Sequence, residues 1–271
     1  MASRGEHMKI ALTIAGSDSS AGAGVQADLK TFAAHGVYGT SVVTAITAQN
    51  TLGVRTIHVV PSEIVVSQID AVADDIEIHA TKIGMLASAG IVRAVATGIE
   101  RWSLRNVVLD PVMMATSGDS LLSDDALALM RSELLRLTTI VTPNAAEAAV
   151  LAGMQVVTAA DACRAAEKIL ALGPQAVIVK GGHLEETQAI DVLVDQSGCH
   201  QLSGPRVDTR STHGTGCTYA AALAANLALG RSVHESAEEA KTYVTLAMQH
   251  ELAIGHGQGL LDHFWALRLR S

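Results

Sequence analysis

The chain has 271 residues, 49% of them hydrophobic, which is enough to bury a full core as one α/β domain or two small ones; no linker divides it. A net charge of −8 with both signs dispersed argues against nucleic acid or an anionic membrane as the main partner. No apolar run approaches the roughly 18 residues that span a bilayer, no secretory signal opens the chain, and the cysteines Cys163, Cys199 and Cys217 lack C-x-x-C spacing; the expectation is a soluble cytoplasmic protein with neither a disulfide framework nor a zinc knuckle.

Residues 1–8 (MASRGEHM) match nothing after them and read as an appended leader, leaving 9–271 as a single domain. Residues 9–15 form a short apolar run that stops at a glycine-rich loop, 16–24, and then Val25, Leu29 and Phe32 recur at helical spacing: strand, loop, helix. Residues 38–47 are rich in β-branched types and read as a second strand that delivers Gln49 to its C-terminal end. A strand at 54–60, a helix marked by Val65, Ile69 and Val72, a strand at 80–84 and a helix marked by Ile91, Val95 and Ile99 follow.

The strand at 106–109 ends in Asp110-Pro111, Ser123 caps the next helix, and the strand at 139–142 ends in Pro143-Asn144, with Glu147 one turn into the helix that Asn144 caps. A helix at 159–172 leads to a strand at 176–180; the runs 189–195 and 199–203 read as a hairpin through Gln196-Ser197-Gly198, and a last amphipathic helix spans 233–252. The 11 histidines form no H-x-x-x-H pair on a predicted helix and read mostly as ordinary surface or loop residues.

Alternating strands and helices predict a three-layer α/β/α sandwich with a mostly parallel central sheet. Ligands bind such sheets beyond the C-terminal strand ends. The polar clusters fall at those ends: Gly16 to Gly24, Gln49, Gly84-Met85, Asp110, Asn144 with Glu147, Lys180 to His183, and Gly214 to Gly216. That coincidence points to one active site.

The stretch 211–230 is a polar glycine-rich loop running into an alanine-rich helix that is apolar on nearly every face, which suits a buried central helix. Gly214 and Gly216 let successive backbone N–H groups and the positive helix end address one oxyanion. Cys217, in the first turn, is expected to have a lowered pKa there and to serve as a base. Asp110 and Glu147 with the Asn144 amide suit Mg²⁺. Lys180 is either a cation for nucleotide phosphates or a solvated strand-end residue. No G-x-x-x-x-G-K-[ST] is present, so the P-loop class is excluded, and a dinucleotide reading is poor. Together these groups are equipment for phosphoryl transfer.

Seven segments in register, among them AGSDSSAGAGVQAD from Ala15, TAITAQN from Thr44, TKIGML from Thr81, LDPVM from Leu109, TPN from Thr142, KGGH from Lys180 and THGTGC from Thr212, resemble the hydroxymethylpyrimidine/phosphomethylpyrimidine kinases of thiamine biosynthesis, members of the ribokinase-like superfamily. The resemblance covers about residues 9–255. It implies ATP-dependent phosphorylation of 4-amino-5-hydroxymethyl-2-methylpyrimidine to its monophosphate and then to its diphosphate, in a homodimer without a separate lid domain. It implies an anion hole from Gly214, Thr215 and Gly216, Cys217 as base, and Asp110, Asn144 and Glu147 toward Mg²⁺ and phosphate. Gly16, Ala23, Gln49 and Met85 match the pyrimidine pocket; Asp28 is placed on the substrate side, and Lys241, like Lys180, on the ATP side. Ser120 stands where the family pattern has proline, and the pattern makes His213 a loop residue. A pyridoxal or pyridoxine kinase of the same fold, and a non-catalytic ligand-binding protein, are the alternatives.

Overall fold

The computed structural model describes residues 8–114, 121–182, 188–209 and 213–268. Residues 1–7 of the expected leader, Gly118 to Ser120, His183 and Thr212 lie outside the described residues. The strands are β1 (Ile10–Ala15), β2 (Tyr38–Val43), β3 (Ala45–Asn50), β4 (Gly53–Val59), β5 (Ala80–Ile83), β6 (Val107–Leu109), β7 (Ile140–Val141), β8 (Ala176–Val179), β9 (Ala189–Asp195) and β10 (Gly198–Gly204). The helices are α1 (Gly24–Ala34), α2 (Ser62–Ala73), α3 (Ala89–Trp102), α4 (Asp124–Leu129), α5 (Ala145–Ala152), α6 (Ala159–Leu170), α7 (Thr215–Ala228), α8 (Val233–Gln249) and α9 (Trp265–Arg268).

Eight strands form one sheet in the order β10-β9-β8-β7-β6-β5-β1-β2. From β2 to β8 all neighbours are parallel, and β9 and β10 turn back as an antiparallel hairpin at the edge. Short β-branched runs with apolar residues on both faces, such as Ala176–Val179, can be stable only when helices cover both sides. They do. Leu12, Ile14, Val107, Leu109 and Val177 pack toward α2 to α6, while their alternates Ala11, Val108 and Ile178 pack toward α1, α7 and α8.

On that second face the strands present small residues, Ala11, Ala80 and Ala176, to the alanines of α7. These alanines let α7 lie against the sheet among the larger Val108, Ile140 and Ile178, and every residue from Thr218 to Ala228 is buried. Its N-terminus is thereby aimed at the C-terminal edge of the strands. This is the sandwich that the sequence predicts.

Three local expectations change. The predicted strand at 38–47 breaks at Thr44: β2 stays in the sheet, and β3 leaves it to pair antiparallel with β4 as a separate two-stranded ribbon. Thr44 makes the corner, donating its N–H to Ala15 and its hydroxyl to the Met85 carbonyl while its own carbonyl accepts from Val60. The ribbon carries Gln49 over the sheet edge. The cysteine expectation also fails, because Cys163 on α6 and Cys199 on β10 are paired as a disulfide with Cα atoms 6.2 Å apart. Finally, α9 forms near the C-terminus, where no helix is predicted.

Candidate active site

The loop after β1 is organised by Asp18, which is 2% exposed. One carboxylate oxygen accepts from the Ser20 N–H and hydroxyl, and the other accepts from the Ala23 N–H at 2.8 Å and from His213 Nε2 at 2.9 Å. Burial works to raise this carboxyl, but the hydrogen bonds from His213, Ser20 and Ala23 win and hold it at about 2. Asp18 is therefore a fixed anion that ties the first loop to the loop before α7.

Gly214 is the N-cap of α7 with φ +81°, a left-handed conformation that suits glycine. A Cβ there would lie 1.9 Å from the Gly22 carbonyl oxygen, so the two glycine-rich loops touch backbone to backbone. At Gly216 a Cβ would stand 3.2 Å from Lys180 Nζ and 3.3 Å from an Asp110 oxygen. The first turn of α7 thus brings bare backbone to the Asp110–Lys180 pair.

Asp110 follows β6, is 3% exposed, and accepts from Lys180 Nζ at 2.7 Å. Burial disfavours the Lys180 charge, but Asp110 and Glu147 outweigh it and raise its pKa above the ordinary value. Lys180 is a cation held by Asp110 in the cavity wall, with its side chain 18% exposed rather than fully solvated.

Asn144 caps α5 as expected, and the cap is reciprocal: its side-chain oxygen accepts from the Glu147 N–H at 2.9 Å, and Glu147 Oε2 accepts from the Asn144 N–H at 2.8 Å. Burial, reinforced by the Asp110 charge and opposed by Lys180, pushes the Glu147 carboxyl up to about 7. A buried Glu147 carboxyl whose ionisation the neighbouring Asp110 charge disfavours, with hard oxygen donors beside it, is what a divalent cation relieves. The set fits Mg²⁺, with Asp110 and Glu147 as the charged donors and Asn144 holding Glu147 in place.

Beneath the loops, Lys82 and Asp28 form an ion pair at 2.8 Å with both side chains at 0% exposure, and Thr13 donates its hydroxyl to the same Asp28 oxygen at 2.6 Å. Burial alone would depress Lys82, but Asp28 first, then Cys217 and Asp110, keep its pKa above the usual lysine range. Cys217 answers to the same balance and departs from the expectation. Burial pushes its thiol up to about 11, against the lowering influence of Lys82 and of the Gly24 backbone N–H. Desolvation of the half-buried sulfur in the cavity wall outweighs the helix N-terminus, the local signal that favours a lowered pKa.

Two cavities open along this floor. The first, of about 210 Å³, is lined by Gly16, Ala23, Gln49 and Met85 on one side and by Lys82, Asp110, Glu147, Gly214 and Cys217 on the other. The second, of about 500 Å³, is lined by Thr215, Lys241, Tyr219 and Met248 among others. Asn144, Lys180 and Gly216 border both. Lys241 Nζ is held by Asp191 at 2.8 Å. Of the residues expected in the site, Asp28 alone borders neither cavity; it acts on the first through Lys82.

Sequence reasoning gave no role to Lys82, although a charge inside the buried strand ATKI calls for a partner. It also set His213 aside as a loop residue. The structure puts His213 in the wall of the first cavity, bonded to Asp18 and 3.3 Å from the Gln49 amide nitrogen.

Backbone donors at a helix N-terminus, a held lysine and a hard-oxygen set lie where a smaller and a larger cavity meet. That arrangement, beyond the C-terminal edge of a parallel sheet, defines a phosphotransferase of the ribokinase-like kind. The family model described as phosphomethylpyrimidine kinase matches residues 18–262, and the chain belongs to that family. It is 50% identical over 258 residues to the hydroxymethylpyrimidine/phosphomethylpyrimidine kinase of Rhizobium meliloti, covering 94% of this chain and 97% of that one. Among solved structures, phosphomethylpyrimidine kinase from Clostridium difficile 630 is similar at 42% identity and TM-score 0.78, covering 88% of this chain and 98% of that one. The ADP complex of Bacillus subtilis pyridoxal kinase is similar at 39% identity and TM-score 0.89, covering 97% and 100%. No helix among the described residues is long and apolar enough to cross a membrane.

Proposed function

We propose that this chain uses ATP to phosphorylate hydroxymethylpyrimidine on its hydroxymethyl oxygen, and then phosphorylates the monophosphate to the diphosphate, as a step of thiamine biosynthesis. The observation that carries the reading is the shared border of the two cavities, where Gly216 and Lys180 face both. The pyrimidine occupies the first cavity, with the Gln49 amide pairing to the amino and ring-nitrogen edge. Gly16, Ala23 and Met85 close around the ring.

ATP occupies the second cavity. Lys241 and Lys180 meet its phosphates, with Lys180 exchanging an Asp110 oxygen for a phosphate oxygen. The N–H groups of Gly214, Thr215 and Gly216 receive the transferring phosphoryl oxygens, whose charge grows in the transition state. Asp110 and Glu147 would hold Mg²⁺, which would supply neutralisation of phosphate charge. Cys217 takes the hydroxyl proton in its thiolate form; the Lys82 charge favours that form, and the Asp28 charge opposes it. A homodimer belongs to the same reading.

A phosphorus NMR time course with ATP, Mg²⁺ and hydroxymethylpyrimidine tests it. Monophosphate followed by diphosphate is expected. Monophosphate alone would reduce the chain to a single-step kinase. The similarity to pyridoxal kinase favours one second reading, and turnover of pyridoxal with silence toward the pyrimidine would select it. Light scattering at working concentration checks the dimer.

A further inference from the structure

At the opposite edge of the sheet from the cavities, three side chains converge that the kinase reaction does not use. Val194 of β9 pairs with Val177 near the start of β8, so Asp195, one residue on, lies at the N-terminal edge of the parallel strands. Lys180, at the site, follows the other end of β8. Asp195 ends β9, His200 lies on β10 just past the hairpin turn, and His234 is in the first turn of α8. One ligand atom from each of the three lies within 4.8 Å of the other two.

The geometry points to a divalent transition-metal site of the zinc class at Asp195, His200 and His234. Two imidazoles and one carboxylate are a borderline nitrogen and oxygen set, suited to Zn²⁺ or Co²⁺ and poorly suited to Mg²⁺. Asp195 is already oriented for the task. Its Oδ1 accepts from the Ser197 N–H at 2.8 Å and from the Ser197 hydroxyl at 2.5 Å, which leaves Oδ2 turned toward His234 Nε2 at 2.9 Å. That is the outer support that metal-binding carboxylates usually carry. The His200 and His234 rings pack edge to face with centroids 4.8 Å apart. Donor atoms around a tetrahedral zinc stand about 3.3 Å apart, so small side-chain rotations close the shell, with water as the fourth ligand.

A metal here would clamp the β9–β10 hairpin, which forms the sheet edge, to the start of α8. Lys241 lies seven residues along α8 from His234, about 10 Å of helix, so the clamp would also steady the helix that lines the second cavity.

The test uses the intact protein stripped with chelator and then titrated with Co²⁺ in excess Mg²⁺, which keeps the oxygen donors at Asp110 and Glu147 occupied. One equivalent with the visible d–d bands of four-coordinate Co²⁺ is expected, displaced by Zn²⁺. The His200→Ala/His234→Ala variant should bind at least about 100-fold more weakly, and Ser197→Ala about 10-fold more weakly. Zn²⁺ should raise the melting temperature of the unaltered protein and not that of the double variant. Circular dichroism and unchanged kinase turnover establish that the double variant is folded. Absence of a Co²⁺ equivalent in the unaltered protein, or an undiminished one in the folded double variant, overturns the site.

Discussion

The two cavities meet at one lysine and are built on different principles. Around the first, three carboxylates are already held: Asp18 by His213, Asp28 by Lys82 and Asp110 by Lys180. A ligand arriving there must displace or exploit an existing pair, so specificity resides in pre-set polar geometry. Around the second, Tyr219, Val244 and Met248 from α7 and α8 supply apolar surface, and Lys241 is tied to Asp191 at one side. The first should tolerate almost no change in its charged floor, and the second should lose affinity in modest steps.

The strongest way to break that contrast is at the thiol. Cys217→Ala is expected to slow phosphorylation of the alcohol by about 10²–10⁴-fold, the usual range for a positioned base. It should slow the second step far less, because a phosphomonoester acceptor has a second pKa of about 6 and is largely ionised at neutral pH. Single-turnover rates for each step measure this, and equal losses would remove Cys217 from its proposed role.

Next is the buried floor. Lys82→Met leaves the Asp28 carboxylate without its cation at 0% exposure, and should destabilise the fold by about 3–5 kcal/mol in urea unfolding. The double change Lys82→Met/Asp28→Leu should recover much of that stability while leaving the first step impaired. If the single variant is as stable as the parent, the floor is not held by this pair.

The pH dependence sharpens the same comparison. With Cys217 at about 11, its thiolate fraction grows tenfold per pH unit at neutral pH. Alcohol phosphorylation should therefore gain about 100-fold in kcat/KM over two pH units above neutrality. The second step should level off above about 7, where Glu147 and the acceptor phosphate are both ionised. For Glu147 alone the sign on stability is opposite. A folded-state pKa raised above the ordinary 4.5 means that the native protein binds the extra proton, so its contribution is full below 4.5 and is lost as pH rises through about 7. The smallest effect belongs to the larger cavity. Lys241→Ala should raise the KM for ATP about 10-fold, the loss of one charge-assisted hydrogen bond, and leave the KM for the pyrimidine nearly unchanged.

Much of this frame is legible in the residues themselves. Apolar runs closed by glycine or proline mark most of the sheet, and the Asn144–Glu147 spacing announces the capping box that the structure contains. The alanines of α7 announce a buried helix. What stays hidden depends on contacts distant in sequence. Nothing in the β-branched run from Tyr38 to Thr47 says that it breaks at Thr44, because the corner is made by Ala15, Met85 and Val60. Cys163 and Cys199 are 36 residues apart on different elements, and no local spacing reveals their pairing. The signal at Cys217 misleads for a related reason: the helix N-terminus is local, whereas desolvation of the thiol is the work of the whole fold.

The contact between Gly22 and Gly214 has a consequence for synthesis. His213 and Asp18, which lie beside that contact, are 195 residues apart. A chain emerging N-terminus first can assemble β1 and α1 early, but the proposed oxyanion cradle does not exist until the segment beginning at His213 has left the ribosome and docked against a loop made long before. The nascent protein is thus unable to spend ATP until most of it has been translated. Cut between β10 and α7, the two fragments should be inert apart and active only on reassociation.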